Sequence, residues 1–289
     1  MDMTKLTKDH FIPEEEPLNV LRRSPQFPYP LHNHDFSELV IVYGGEGLHF
    51  SGQTEHRIEA GDAFVINGSV EHGYRDTRDL CLVNILFLPE NMNLSLLDLP
   101  MSSAFHLLFT LEPEFRDQCK AAGYLHLTPE QLSRAMSLVD TMESELQSRR
   151  KGYRMLVAGC FMQLAALLIR YYEDPERPIP QKMLKMSEIM VYLHRNYHSR
   201  ISIEQLCASA GMSESTLSRA FKQAVGTTPL DYCNRLRLRR AAELLRNTDM
   251  SIAEIAEHSG FDDSNYFSRT FRRQLGLSPR IYRQQKLPR

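Results

Sequence analysis

Two sets of side chains in this 289-residue chain have types and spacings that could do chemistry. The first is His32-x-His34-x-x-x-Glu38, joined much later by His72. On neighbouring strands, two imidazoles and a carboxylate completed by a third imidazole could hold Fe, Mn, Ni or Zn with coordination positions left open. The same groups could instead form hydrogen bonds with the hydroxyls of a small molecule. The second set is Ser215, Ser218, Arg219 and Lys222, echoed by Ser264, Asn265, Ser268, Arg269 and Arg272. Arg can bridge O6 and N7 of guanine, Asn can bridge N6 and N7 of adenine, and short serines let a helix sit deep in the major groove. Lys222, Arg272 and Arg273 suit phosphates.

The elements that must position the second set are written twice. Residues 201–211 (ISIEQLCASAG) are echoed by 250–260 (MSIAEIAEHSG), an offset of 49. One inserted residue later the offset is 50, and Arg219, Phe221, Gly226, Pro229 and Tyr232 recur as Arg269, Phe271, Gly276, Pro279 and Tyr282. Ser202 with Gln205, and Ser251 with Glu254, read as capping boxes that start a first helix. Small Cys207 and Ala256 let a second helix pass closely, and Gly211 and Gly260 mark the sharp turn. The second helix is expected to begin near Ser213 or Asp262 and to bury Leu217/Phe221 or Phe267/Phe271, leaving the reading residues in solvent. Each copy is thus a helix-turn-helix unit. Leu230 to Arg246 reads as one linking helix with Leu236, Ala241, Leu244 and Leu245 inward and Arg235, Arg237, Arg239 and Arg240 around it. At roughly 1.5 Å per residue it is a strut of about 26 Å, enough to place two recognition helices in successive major-groove segments.

The first set needs strands. Short β-branched or aromatic runs at Glu38–Tyr43, Gly47–Phe50, Asp62–Ile66 and Leu80–Phe87, separated by Gly, Asn and Asp, predict a small barrel or sandwich. Two helices follow. Thr128-Pro129-Glu130-Gln131 supplies an N-cap, a first-turn proline and a capping-box Gln, ahead of a stripe of Leu132, Met136, Val139, Met142 and Leu146; the second helix runs from about Arg154 to Tyr172. Leu156–Tyr171 could serve either a dimer interface or the protein's own core. Three prolines in residues 174–180 predict an extended linker. The expected architecture is α+β: a domain over 1–127, a helical pair over 128–174, a Pro-rich linker over 175–182, and an all-α domain of two tandem helix-turn-helix units over 183–289.

Charge divides at the linker. Residues 1–182 hold 17 Lys+Arg against 26 Asp+Glu, whereas 183–289 hold 17 against 10, so only the second part suits a polyanion. The five cysteines (Cys81, Cys119, Cys160, Cys207, Cys233) are scattered and form no C-x-x-C pair, which predicts reduced thiols rather than a disulfide framework or zinc knuckle. The N-terminal residues lack the apolar stretch of a signal peptide, and no run of about 18 uninterrupted apolar residues follows, so no membrane is expected and a cytoplasmic location is.

At these residues the chain resembles the AraC/XylS family of bacterial regulators. The match covers about Met186 to Tyr282 and is strongest from Gly260 to Phe271 (GFDDSNYFSRTF) and Gly276 to Pro279 (GLSP). The resemblance implies that Ser215, Ser218 and Arg219 of the first unit, and Ser264, Asn265, Ser268 and Arg269 of the second, meet bases of double-stranded promoter DNA. The N-terminal part is similar to the rhamnose-operon regulators along residues 32–42 (HNHDFSELVIV), at Gly47–His49 and at Asp79–Leu80. That implies a cupin-like β-barrel binding an effector such as a monosaccharide, helices for homodimerisation, action as an activator, contact with RNA polymerase and no cofactor. Ser215 stands where a rhamnose-type regulator can carry Arg, so base preference there does not carry over. His32, His34 and Glu38, with Gly45, have the spacing of the first metal-cupin motif, and Gly61 with His72 fits the second. Asn67 and Ser69 replace the usual proline and glycine of that second motif, and Asp76 the usual Asn. His32, His34, Glu38 and His72 are accordingly read as effector contacts in a non-enzyme regulator, with a metal-dependent cupin enzyme fused to a DNA-binding tail as the rival. His49, His56, His106 and His126 show no ligand spacing and are expected to be ordinary packing or surface residues.

Overall fold

Apolar, largely β-branched or aliphatic runs, residues 39–43 and 80–87, anchor Ser37–Ser51 (β4) and His72–Phe87 (β7), the two long strands of the first compact body, Met1–Ser187. The computed structural model describes residues 4–13, 15–51, 54–68, 70–89, 99–111, 115, 124–173 and 179–285. β4 and β7 pair antiparallel from Ser37 opposite Phe87 to Ser51 opposite His72. Around them lie Thr4–Leu6 (β1), Leu18–Arg23 (β2), Tyr29–His34 (β3), Thr54–Glu59 (β5), Asp62–Ile66 (β6) and Leu125–His126 (β8), in the order β1-β3-β7-β4-β6-β8 with β2 on β7 and β5 on β4.

The long strands each serve two halves of this sheet. β2 and β3 pair with opposite ends of β7, and β5 and β6 with opposite ends of β4. Register shifts between Val42 and Leu48 provide the bend between the ends. Gly45 makes it possible: its φ is +67°, and a Cβ there would lie 2.1 Å from the Asp79 carbonyl oxygen. The runs Glu38–Tyr43 and Gly47–Phe50 are therefore one bulged strand, not two. Val40, Val42, Phe64, Ile66 and Leu82 from one half meet Ile58, Tyr74 and Leu80 from the other in a single interior core.

Period-two alternation decides what else faces that interior. Leu82, Asn84 and Leu86 turn one way. Phe87 turns the other, where its ring centroid is 4.9 Å from that of Phe161. Phe161 belongs to Tyr153–Tyr172 (α4), which packs beside Pro129–Ser148 (α3). Shorter helices are Lys8–Phe11 (α1) and Ser103–Phe109 (α2), the latter after a 3-10 turn at Leu99–Met101. The expected Thr128/Gln131 capping box is formed. Of the α3 stripe, Val139 and Met142 are buried beside Ala135, while Leu132, Met136 and Leu146 are half-buried. α4 is long and apolar enough to cross a membrane by length and composition, with 44 % of that stretch buried. Most of its apolar face, from Val157 through Phe161 to Leu168, is core; Met155 and Leu156 are exposed.

The second body, Glu188–Arg289, begins within Gln181–Asn196 (α5). Each helix-turn-helix unit then has a short and a long helix: Ile203–Ala210 (α6) and Glu214–Val225 (α7), then Ile252–His258 (α9) and Ser264–Leu275 (α10). Pro229–Asn247 (α8) links them and Pro279–Gln284 (α11) follows the second. Both capping boxes form. The long helices are capped by Ser213 and Asp263, so the second starts one residue later than Asp262 implies, because the inserted residue falls in its turn. Phe267 and Phe271 are buried in one core cluster with Ala241 and Leu245 of α8, as expected. Of the expected linker, residues 174–178 lie outside the described residues, as do Ser69 and Cys119; Cys81, Cys160, Cys207 and Cys233 are free thiols.

Candidate functional site

Strand register brings the histidines together. His32 is directly opposite His72 on β7, Ser51 faces His72 from β4, and His49 faces Tyr74. Three of the rings are held the same way. Nδ1 lies 3.0 Å from the Pro30 carbonyl in His32, 2.6 Å from the Phe36 carbonyl in His34 and 3.1 Å from the Val70 carbonyl in His72. A carbonyl only accepts, so each Nδ1 carries the proton, and in a neutral ring Nε2 holds the lone pair. Stacking of His34 on Phe36, at 4.3 Å between centroids, fixes its plane further.

His34, Glu38 and His72 each place one donor atom within 4.8 Å of the others, all three residues being buried. His34 Nε2 is 3.3 Å from Glu38 Oε2, within ion-pair distance yet not aligned as a hydrogen bond. His32 does not join this trio: its ring packs on His72 at 4.2 Å and lines the adjoining cavity, so the expected four-ligand set contracts to three. Burial pushes His72 down to about 3 and also lowers His32. Burial alone would raise Glu38, but the facing imidazoles outweigh it and hold the carboxyl below its usual range.

Sequence spacing missed three further residues of this interior. His49, expected to be ordinary, is fully buried; burial pushes it down to about 3, its Nδ1 is 2.7 Å from the Tyr124 hydroxyl, and its Nε2 has no hydrogen-bond partner. Tyr74 and Asn84 are the other two. A cavity of about 270 Å³ is lined by His32, Glu38, Tyr74 and Asn84, with Gln26 and Arg23 among its remaining polar residues. Glu38 Oε1, the Tyr74 hydroxyl and Asn84 Oδ1 are buried without a hydrogen-bond partner. Each such orphan costs about 1–3 kcal/mol, so a polar ligand able to pair all three would recover what the fold gives up. The buried alternation Gly47, His49, Ser51 in β4 was the available sequence signal. His106 and His126 do conform to expectation: His106 is core and bonded to the Pro100 carbonyl, and His126 is more than half exposed beside Asp62.

In the second body, both long helices present the residues expected of a reading face. Ser215, Ser218, Arg219 and Lys222 of α7 are expected in solvent: Ser215, Arg219 and Lys222 are exposed, while Ser218 is half-buried at the edge of that face. On α10, Ser264, Asn265, Arg269 and Arg272 are exposed, with Ser268 half-buried like Ser218. Among the described residues, Arg219, Asn265, Arg269 and Arg272 make no side-chain hydrogen bond or ion pair with the protein, so their donors are free for another molecule. Arg237 of α8 differs. It donates from Nε to the Tyr197 carbonyl at 2.7 Å and from Nη2 to the Ser199 carbonyl at 2.8 Å, and so is structural.

Comparison with known proteins agrees with both parts. The AraC-like ligand binding domain matches residues 20–165, half of the chain, and a helix-turn-helix domain matches residues 206–285. The chain belongs to the AraC family. Among its relatives is the HTH-type transcriptional activator RhaR of Mannheimia succiniciproducens, 32 % identical over 95 % of this chain and 94 % of that protein. RhaR of Yersinia pestis bv. Antiqua is 31 % identical over 96 % and 92 %. An AraC-type DNA-binding regulator from Chromobacterium violaceum, solved as a crystal structure, is 35 % identical over 35 % of this chain and 91 % of its own, with a TM-score of 0.33. This AraC-family chain is thus a DNA-binding transcriptional regulator with a ligand-binding domain, of α+β class.

Proposed function

We propose that this regulator is a transcriptional activator whose N-terminal cavity binds a neutral polyhydroxylated effector, a monosaccharide, and whose two helix-turn-helix units read promoter DNA. One observation carries the effector reading: the unpartnered polar atoms of Glu38, Tyr74 and Asn84 line one small cavity. Sugar hydroxyls both donate and accept, and so can satisfy a carboxylate, a phenol and an amide oxygen together. His32 on the same wall is a further contact, while His34 and His72 stand behind Glu38. Activation is supported by the names of the RhaR relatives. A non-enzymatic role, a cytoplasmic location, homodimerisation and contact with RNA polymerase belong to the same reading; the exposed Met155 and Leu156 on α4 offer a place for a second copy. Base contacts are assigned to Ser215, Ser218, Arg219, Ser264, Asn265, Ser268 and Arg269, and phosphate contacts to Lys222 and Arg272. Domain limits at 1–127, 128–174, 175–182 and 183–289 go with that division of labour.

The test is a thermal-denaturation screen of the full chain against monosaccharides. A ligand that binds only the folded state at a hundred times its Kd stabilises by about 2.7 kcal/mol. One sugar is expected to raise the melting temperature and to alter promoter binding in a gel-shift assay. If every sugar leaves both unchanged, the effector is of another class.

A further inference from the structure

The trio at the heart of the first body turns three ligand atoms toward one point. With Nδ1 of His34 and His72 committed to carbonyl oxygens, both rings turn Nε2 toward the interior, and neither Nε2 has a hydrogen-bond partner. Glu38 adds a carboxylate whose Oε1 is equally unpartnered. Three buried ligand atoms thus lie within 4.8 Å of one another with their hydrogen-bonding capacity unused, and burying such groups unpaired is costly. The His34 Nε2 to Glu38 Oε2 separation of 3.3 Å is also the edge of a tetrahedron with metal–ligand bonds of about 2.0–2.1 Å. Carbonyl bonding at Nδ1 is the arrangement that orients an imidazole for ligation through Nε2.

We propose that His34 Nε2, His72 Nε2 and Glu38 bind one divalent transition-metal ion. Three nitrogen and oxygen ligands leave coordination positions open, and Glu38 lines the cavity, so those positions are within reach of a ligand there. Two adjacent hydroxyls of a polyol could fill them. That last step rests on the effector reading above; capture of the ion does not. His32, which lies outside the trio, is assigned to the effector and not to the ion.

The experiment uses full-length protein without a histidine tag, stripped with a chelator and titrated with Co²⁺. Saturable visible d–d absorption at one equivalent per chain, bleached by Zn²⁺, and a rise in melting temperature with either ion are expected. His72→Ala should abolish the absorption, whereas His126→Ala, at the surface, should retain it. Failure of the wild-type chain to take up one equivalent overturns the proposal even if His72→Ala does not fold. So does equal uptake by a folded His72→Ala protein. Sugars are then added to stripped and loaded protein. Stabilisation of the stripped protein by a sugar, without any metal uptake, would remove the metal and leave the effector reading standing. Metal uptake without any sugar response would do the reverse.

Discussion

Arg237 holds Tyr197: the guanidinium of the linking helix donates to the backbone carbonyl of a residue forty positions earlier, in the connection that leads into the first helix-turn-helix unit. Gly260, in the turn of the second unit, is pressed against the same carbonyl; a Cβ there would come within 2.5 Å of it. One oxygen therefore ties together a loop, the linking helix and the second turn. Arg237→Ala should lower the unfolding free energy of the chain by about 1–3 kcal/mol, since it removes two charge-assisted hydrogen bonds and leaves the half-buried Tyr197 carbonyl without its donor. Arg237→Lys should not restore it, because an ammonium cannot span both oxygens as the guanidinium fork does. Urea denaturation of the three proteins measures this.

Glycines of like φ should respond unlike each other. Gly211 and Gly260 both sit at positive φ, +63° and +85°, but nothing lies within 4 Å of a Cβ at Gly211. Gly211→Ala should cost only the left-handed backbone penalty, roughly 1–2 kcal/mol. Gly260→Ala should cost clearly more, because the Tyr197 carbonyl must also move. Equal melting temperatures for the two variants would contradict the close approach.

On DNA, Arg219→Ala or Asn265→Ala should weaken binding to the specific site by about 1–3 kcal/mol and leave binding to random duplex nearly unchanged. Lys222→Ala should weaken both and reduce the slope of log K against log salt by about 0.9. Titrations at several salt concentrations on the two duplexes separate these outcomes.

Within the cavity, Tyr74→Phe should behave oppositely to an ordinary core substitution. The lost hydroxyl has no partner, so the ligand-free protein should be as stable as the wild type or more stable by about 1 kcal/mol. Its stabilisation by the effector should shrink. Denaturation with and without the sugar reads both, and a variant that is destabilised yet fully responsive would remove Tyr74 from the effector's contacts.

His106 makes stability depend on pH. Burial in α2 pushes it down to about 4, despite the opposing bond from Nε2 to the Pro100 carbonyl. The unfolded chain takes up a proton near the ordinary value of about 6.5 that the folded chain refuses until about 4. Its contribution is whole above that window and is lost as pH falls through it, by about 3 kcal/mol in all. His106→Leu should flatten the stability profile in that window by close to one proton.

Local chemistry made much of this architecture legible. The capping boxes at Thr128, Ser202 and Ser251 depend on residues three positions apart, and each forms where its spacing predicts. The duplicated pattern likewise determines α6, α7, α9 and α10. What could not be read is what depends on register between distant strands. His49 meets Tyr74, and Val40 meets Asn84, only because β4 and β7 pair over their full length. Gly44 and Gly45 resemble a turn in sequence and are a bulge in the fold. The N-terminal stretch of β7, His72–Asp79, carries charged residues outward and so lacks the apolar run that marks a strand. His32 failed to join the ligand trio for a related reason: spacing places it on the correct strand, and its ring is diverted against His72.

The linking helix α8 joins the two units as a single continuous helix. Its register is consequently an angular setting. Adding or removing one residue within Pro229–Asn247 would turn the second reading head by about 100° and shift it by about 1.5 Å along the axis. The length of α8 therefore sets both the angle and the separation between the long helices α7 and α10.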